Sequence, residues 1–330
     1  MLASTAERLY WLSRYFERAG NTARLLEACG RMACLSAKEE GVREFSAALA
    51  ILGASEDFGR RGEEGAEAIA RFLAFDAGSP ASILSSLARA RQNARTLRSL
   101  LSEELWVTVN SAWLEAQDAS RAADLAPFFS RMKECFLLFR ALAFETLLRD
   151  ESFDFMRLGI FIEGADNTAR ILDVKYHILL PEHEPVGGAV DYYQWHSLLR
   201  AVAAHEAYHR VFAEPISPFR VAELLILRHE VPQSLASCLE QIEKILFRLC
   251  EEKKPSPAFL AQAVHTRLTQ KDIAAIFEGG LHEFLTSFCE DARRLDEEIR
   301  IRFFCPDFEL AASQAQDQTL GGTSGAGLGA

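Results

Sequence analysis

Apolar residues recur every three or four positions along most of the chain, which is the spacing of one buried face of an α-helix. The spacing begins in the first segment, at Leu12, Phe16, Ala19, Ala23 and Leu26. Ser4 or Thr5 precedes this segment and is a suitable helix N-cap. No segment alternates apolar and polar residues convincingly, as a half-buried strand does. The pattern therefore predicts an all-α fold.

The same spacing predicts further helices in two runs, with the pattern restarting after Asp150. The first run covers 41–53, 63–75, 80–101, 102–118 and 122–149. The second run covers 153–180, 189–213, 217–229, 231–252, 257–267 and 270–302. Residues 311–330 have a glycine-rich, low-complexity composition. That composition predicts a disordered tail after a helical domain of residues 1–310.

A fourteen-residue segment of the first run returns in the second. Residues 14–27 and 160–173 are identical at seven of their fourteen paired positions, at an offset of 146. The identical pairs with polar side chains include Glu17 and Glu163, Asn21 and Asn167, and Arg24 and Arg170. A match of this density within one chain indicates an internal duplication.

Weaker correspondences extend the repeat beyond this segment. At an offset of 150, Glu56, Phe58 and Arg60 align with Glu206, Tyr208 and Arg210. At an offset of 138, Ser79 and Pro80 align with Ser217 and Pro218. We therefore expect a unit of about 140–150 residues used twice, as pseudo-repeats 1–150 and 151–305. Repeats of this size predict one two-lobed helical bundle.

The repeated polar residues share one face of each predicted helix. Each residue turns about 100° around a helix axis, so Glu17, Asn21 and Arg24 form a stripe. The candidate binding residues on or beside this stripe and its repeat are Arg14, Glu17, Arg18, Asn21, Arg24, Glu163, Asn167 and Arg170. They have the chemistry to bind a ligand with carboxylate and amine groups. Alternatively, they pair with one another and fix the register between the two repeats.

The second copy of the stripe lacks two of the arginines. Ile160 stands in the place of Arg14, and Gly164 stands in the place of Arg18. Ile160 removes a cation three residues from Glu163, and glycine in a helix interior costs about 1 kcal/mol relative to alanine. Gly164 therefore either admits a close neighbour or marks a half that has lost its original role. We expect any charged site to belong to the first copy.

A second motif, His205-Glu206-Ala-Tyr-His209, matches the H-E-x-x-H pattern of zinc peptidases. Two histidines four residues apart on a helix can share a zinc ion, with the glutamate as general base. His229 offers a third ligand. However, Glu206 aligns with Glu56 in the duplication, and the predicted surroundings are all helical. Zinc hydrolysis is therefore the least favoured hypothesis, and we predict neither a metal nor a cofactor.

The composition narrows the classes of partner. The net charge of −11 disfavours nucleic acid and anionic membrane surfaces, which both attract basic proteins. None of the seven cysteines forms a C-x-x-C pair, which favours reduced thiols. The start of the chain lacks the features of a signal peptide, and no stretch has the roughly 18 apolar residues of a membrane span. These features predict a cytoplasmic protein.

These segments resemble the alpha-E domain family of helical bacterial proteins, which is named for an E-R motif. Glu17-Arg18, within residues 14–24, is similar to the first motif of the family, and residues 158–173 are similar to the second. Supporting similarities lie at 82–83, 92–95, 106–110, 194–200 and 231–234. The resemblance covers residues 1–305. The resemblance departs at two positions. Gly164 stands where the family usually repeats the arginine of the E-R pair, and Ile160 stands where an arginine is usual.

The resemblance implies a setting rather than a reaction. Such proteins are typically encoded beside, or fused to, a circularly permuted ATP-grasp amidoligase, often with a transglutaminase-like peptidase nearby. The first hypothesis is therefore a non-catalytic partner of a ligase that makes or modifies a peptide or amino-acid conjugate. The alternative is an enzyme, a transferase or hydrolase, that acts through Glu17 and Arg18.

Overall fold

Helices account for all the regular secondary structure in the described residues of the computed structural model, which are 1–35, 38–177, 189–250 and 256–305. The first half contains α1 (Ala3–Leu35), α2 (Lys38–Ile51), α3 (Ser55–Gly59), α4 (Ala66–Phe75), α5 (Ile83–Thr96), α6 (Glu103–Ala119) and α7 (Ala126–Thr146). The second half contains α8 (Glu151–His177), α9 (Ala189–Ala201), α10 (His205–Phe212), α11 (Pro218–Leu227), α12 (Leu235–Leu249), α13 (Pro257–Thr269), α14 (Ile273–Glu278) and α15 (Leu281–Ile299). A π-helix, Arg300–Phe304, follows α15. The all-α prediction is confirmed.

Four of these helices have a serine as their N-cap. The hydroxyl groups of Ser82, Ser102, Ser217 and Ser234 each accept the backbone N–H three residues later, at the starts of α5, α6, α11 and α12. Each bond satisfies one of the backbone donors that a helix start leaves without an intrahelical partner. The predicted cap of α1 is wrong, because Ser4 and Thr5 lie inside its first turn.

Backbone turns divide two of the predicted helices. The segment predicted at 189–213 breaks between α9 and α10, where Ala203 has a left-handed φ of 55°. The segment predicted at 270–302 breaks between α14 and α15, where Gly280 has a φ of 90°. The short helix α3 was not predicted at all. Alanine rarely adopts positive φ, so the sequence carried no signal for the first break.

The two helices with the repeated motif, α1 and α8, pack along each other in the centre of the fold. Helices α2, α5, α7 and α9 also pack on α1, and α12 and α15 pack on α8. The central pair is in close contact at Gly159, where a Cβ atom would lie 2.2 Å from Ser13 Oγ and 2.5 Å from the Tyr10 carbonyl oxygen. Only glycine allows this approach of the two helices.

The two halves share local features of backbone and capping. The run α2–α5 contains helices of 14, 5, 10 and 14 residues, and the run α9–α12 contains helices of 13, 8, 10 and 15 residues. Ser82 and Ser234 each cap the fourth helix of their run and also donate to a carbonyl oxygen six residues earlier. Ser79 lies three residues before the cap Ser82, whereas Ser217 itself caps α11. Ser79 and Ser217, which align at an offset of 138, are therefore not equivalent.

These likenesses agree with the proposed duplication, which stays a prediction. The proposed boundary near residue 150 falls between α7 and α8. The predicted tail, 311–330, lies outside the described residues.

The central helix pair gives a matched test with two glycines of α8. Gly159→Ala is expected to lower the free energy of unfolding by about 1–3 kcal/mol, because the new methyl group overlaps α1. Gly164→Ala is expected to raise it by about 1 kcal/mol, because a Cβ there meets nothing closer than Gln233 Oε1 at 3.5 Å. Urea unfolding of both variants measures the difference. Equal effects at the two positions would contradict the packing described for α1 and α8.

Candidate functional site

The two motif copies meet at one carboxylate. Glu163 of α8 is buried, and two arginines of α1 bind it. Arg14 Nε donates to Glu163 Oε2 at 2.9 Å. Arg18 Nε donates to Oε1 at 2.6 Å, and Arg18 Nη2 donates to Oε2 at 3.0 Å. The arginines missing from the second copy are thus supplied to its carboxylate by the first.

Arg14 extends this network to a third helix. Its Nη1 donates to Asp296 Oδ1 of α15 at 2.7 Å and to the Tyr10 hydroxyl at 3.2 Å. Its guanidinium also lies 4.9 Å from the centre of the Trp11 ring. One buried arginine therefore connects α1 with both α8 and α15, a role expected of a residue that fixes register.

The charge on Glu163 is maintained by its arginines. Burial alone would raise the pKa of this carboxyl group, but the guanidiniums of Arg18 and Arg14 lower it from 4.5 to about 2. Glu163 is therefore ionised at neutral pH, with both oxygens engaged in charge-assisted hydrogen bonds.

Glu17, the first-copy counterpart, has a different partner. Its side chain is fully buried, and Arg140 of α7 binds both of its oxygens, at 2.6 and 2.7 Å. Burial raises the pKa of Glu17 in spite of this arginine. Arg140 was missed by the sequence analysis because it lies in no repeated motif. The neighbouring residues Glu17 and Arg18 thus pair with different helices.

Arg24 has no carboxylate within ion-pairing distance among the described residues. It is buried, and its guanidinium lies 4.4 Å from the centre of the Phe136 ring. Burial and the nearby Arg140 lower its pKa to about 10. Its second-copy counterpart, Arg170, instead donates from Nε to Asp166 Oδ2 at 2.7 Å, one turn away on α8.

A cavity of about 250 Å³ opens between α1 and α8 beside the Arg18–Glu163 pair. Its lining comprises Arg18, Asn21, Thr22, Ile51, Leu52, Gly53, Ala54, Asp57, Pro80, Ala81, Glu163, Asp166, Asn167 and Arg170. Five of the eight predicted binding residues are among them. The other three, Arg14, Glu17 and Arg24, do not line the cavity. The cavity therefore combines residues of both copies of the motif, whereas the sequence led us to expect a charged site in the first copy.

The cavity lining includes polar groups that are available to a ligand. Asn21 lines the cavity and is only 7% exposed. The buried Thr22 Oγ1 has no hydrogen-bond partner in the described part of the chain. A buried polar group without a partner costs about 1–3 kcal/mol, so a ligand that supplies one is stabilised there. Asn167, from the second copy, lines the same cavity.

The residues that close the cavity on the first-half side belong to none of the sequence motifs. Ile51 ends α2, Leu52 to Ala54 form the turn after it, and Asp57 lies in α3. Pro80 and Ala81 precede α5. Gly53 makes that turn with a φ of 64°. Gly53, at the end of the predicted helix 41–53, was a usable signal for the turn, but nothing in the sequence placed that turn against α8.

The H-E-x-x-H segment occupies a separate region at α10. The His205 and His209 rings lie 4.7 Å apart, and His196 of α9 is 4.5 Å from His205. The Glu206 side chain is 81% exposed, and His229 Nδ1 lies 3.5 Å from Glu230. Within the described ranges, no group of three or more His, Cys, Asp or Glu side chains has an arrangement suited to a metal ion.

Comparison with family models matches residues 1–304 to Alpha-E, described as a predicted alpha-helical domain with a conserved ER motif. The chain therefore belongs to the Alpha-E family. No curated protein and no solved structure matched it. Across the described residues, no helix is both long and apolar enough to cross a membrane.

The Glu163 network predicts a pH-dependent loss of stability. Glu163→Gln should lower the free energy of unfolding by about 3–5 kcal/mol at neutral pH, because it removes the buried carboxylate that Arg14 and Arg18 share. The folded-state pKa, about 2, lies below the ordinary value of 4.5. The carboxylate therefore contributes stability above pH 4.5 that is lost as the pH falls towards 2.

The difference between wild type and Glu163→Gln should accordingly shrink over that interval, as measured by urea unfolding at several pH values. Glu115→Gln is the control, because it removes an exposed pair with Arg131 worth at most about 1 kcal/mol. A constant difference down to the lowest pH at which the protein folds would contradict the assignment.

Proposed function

We propose that this protein is a non-catalytic, cytoplasmic partner of a circularly permuted ATP-grasp amidoligase, and that its α1–α8 cavity binds a small polar ligand of that system. Membership of the Alpha-E family supports the setting, since the resemblance implies a neighbouring ligase and often a transglutaminase-like peptidase. The net charge of −11 supports a protein or small-molecule partner over nucleic acid.

The observation that carries the proposal is the pairing of the carboxylates at the cavity. Glu163 is bound by Arg14 and Arg18, and Asp166 is bound by Arg170. Asp57 lies 3.1 Å from Arg60. A general base must accept a proton near neutral pH, and the arginines that bind Glu163 lower its pKa to about 2. The groups left for a ligand are amides, guanidinium N–H donors and the second oxygens of paired aspartates, which suit binding better than catalysis.

The enzyme hypothesis relied on Glu17 together with Arg18. Arg18 does line the cavity and can therefore contact a ligand. Glu17 is fully buried against Arg140 and does not line the cavity. The Glu17–Arg140 pair therefore connects α1 with α7, and we propose no catalytic role for Glu17.

Co-purification with the ligase encoded next to this protein tests the proposal. We expect a stable complex, and we expect ligase turnover to change when the protein is added. A surface variant far from the cavity, Arg131→Gln on α7, is the control and should behave as the wild type. The absence of a complex, together with turnover unaffected by the protein, would contradict the proposal.

A further inference from the structure

We propose that the α1–α8 cavity binds a short peptide with both ends free, of the size of a dipeptide. The inference rests on the proposed function, because it names the class of ligand for the site assigned there. Ligand pockets usually measure about 300–1,000 Å³. A cavity of about 250 Å³ lies just below that range, which suits a ligand smaller than most.

Two arginines provide donors for the carboxylate end of the peptide. Arg18 uses Nε and Nη2 for Glu163, which leaves Nη1 without a partner in the described ranges. Arg170 uses only Nε for Asp166, which leaves both of its Nη groups. The two Nη groups of a guanidinium form a planar fork that matches the two oxygens of a carboxylate. Arg170 is also 40% exposed, so it is accessible from solvent.

Two carboxylates provide acceptors for the ammonium end. Asp166 pairs with Arg170 through Oδ2, and Asp57 pairs with Arg60 through Oδ1. One oxygen of each side chain has no described partner, and a carboxylate oxygen can accept more than one hydrogen bond. The lining contains cations and anions together, and most are already paired. This balance favours a ligand with one positive and one negative end over a phosphate or another multiply charged anion.

The two asparagine amides in the lining fit the middle of such a ligand. A side-chain amide has both a donor and an acceptor, as a peptide bond has. Asn21 and Asn167 line the cavity, and the hydroxyl of the neighbouring Thr22 has no partner in the described part of the chain. Apolar contacts come from Ile51, Leu52 and Ala54, which favours small apolar side chains on the peptide.

Calorimetry or ligand-observed NMR with the full 330-residue chain tests this inference, with L-alanyl-L-alanine as the probe. L-alanyl-L-alaninamide lacks the carboxylate, N-acetyl-L-alanine lacks the ammonium group, and inorganic phosphate lacks both the ammonium group and the amide. We expect the dipeptide to bind, and each of the other three to bind at least about tenfold more weakly. Failure of the dipeptide to bind, or equal binding of phosphate, would overturn the inference.

Two variants of cavity residues test whether the dipeptide binds in the α1–α8 cavity. Arg170→Gln is expected to weaken dipeptide binding about tenfold, and Asn21→Ala to weaken it severalfold. Asn21→Ala should change the stability of the protein little, since it shortens a side chain in the cavity lining. Arg131→Gln, which also removes an arginine paired on a helix, is the matched control and should bind as the wild type. Unchanged binding in both cavity variants would place the peptide elsewhere and overturn the inference.

The two proposals fail separately. If the Asn21→Ala variant still co-purifies with the ligase and the wild type binds no dipeptide, the inference is wrong and the proposed function stands. If the isolated protein binds the dipeptide but forms no complex and leaves turnover unchanged, the proposed function is wrong and the ligand assignment stands.

Discussion

The structure depends on the binding of one buried carboxylate, Glu163, by two arginines that belong to another helix. Removing these groups from water is costly, and the cost is offset only because both oxygens of Glu163 receive charge-assisted hydrogen bonds. The geometry allows this because Gly159 brings α8 against α1. The same contact fixes the positions of Asn21 and Asn167 beside the cavity. Ligand chemistry and helix register therefore rely on the same residues.

The two halves of the chain use similar motifs in different ways. Gly164 cannot supply a guanidinium to Glu17, and Arg140 of α7 binds that carboxylate instead. Cys238 lies close to this region, since a Cβ on Gly164 would be 3.7 Å from its Sγ. The second half thus contains the same carboxylate, amide and last arginine as the first. It depends on the first half for the arginines that bind Glu163.

Helical periodicity was sufficient to predict the fold class and most helices, because each helix buries one apolar face. It was insufficient at Ala203, where tertiary packing imposes a left-handed backbone on a residue with no preference for it. The repeat identified five of the residues that line the cavity. It did not identify Arg140, Asp57 or Pro80, because their roles depend on which helices and turns lie next to α1. That information is in the tertiary contacts and not in the spacing along the chain.

The central claim is that the adjacent residues Glu17 and Arg18 pair with different helices rather than with each other. Double-mutant cycles measure this directly from the free energy of unfolding, with alanine or glutamine at each position. Coupling of about 0.5–3 kcal/mol is expected for Arg18 with Glu163 and for Arg140 with Glu17, because each pair is in contact. Coupling near zero is expected for Arg18 with Glu17. A large coupling within the Glu17–Arg18 pair, with none across the helices, would contradict the account.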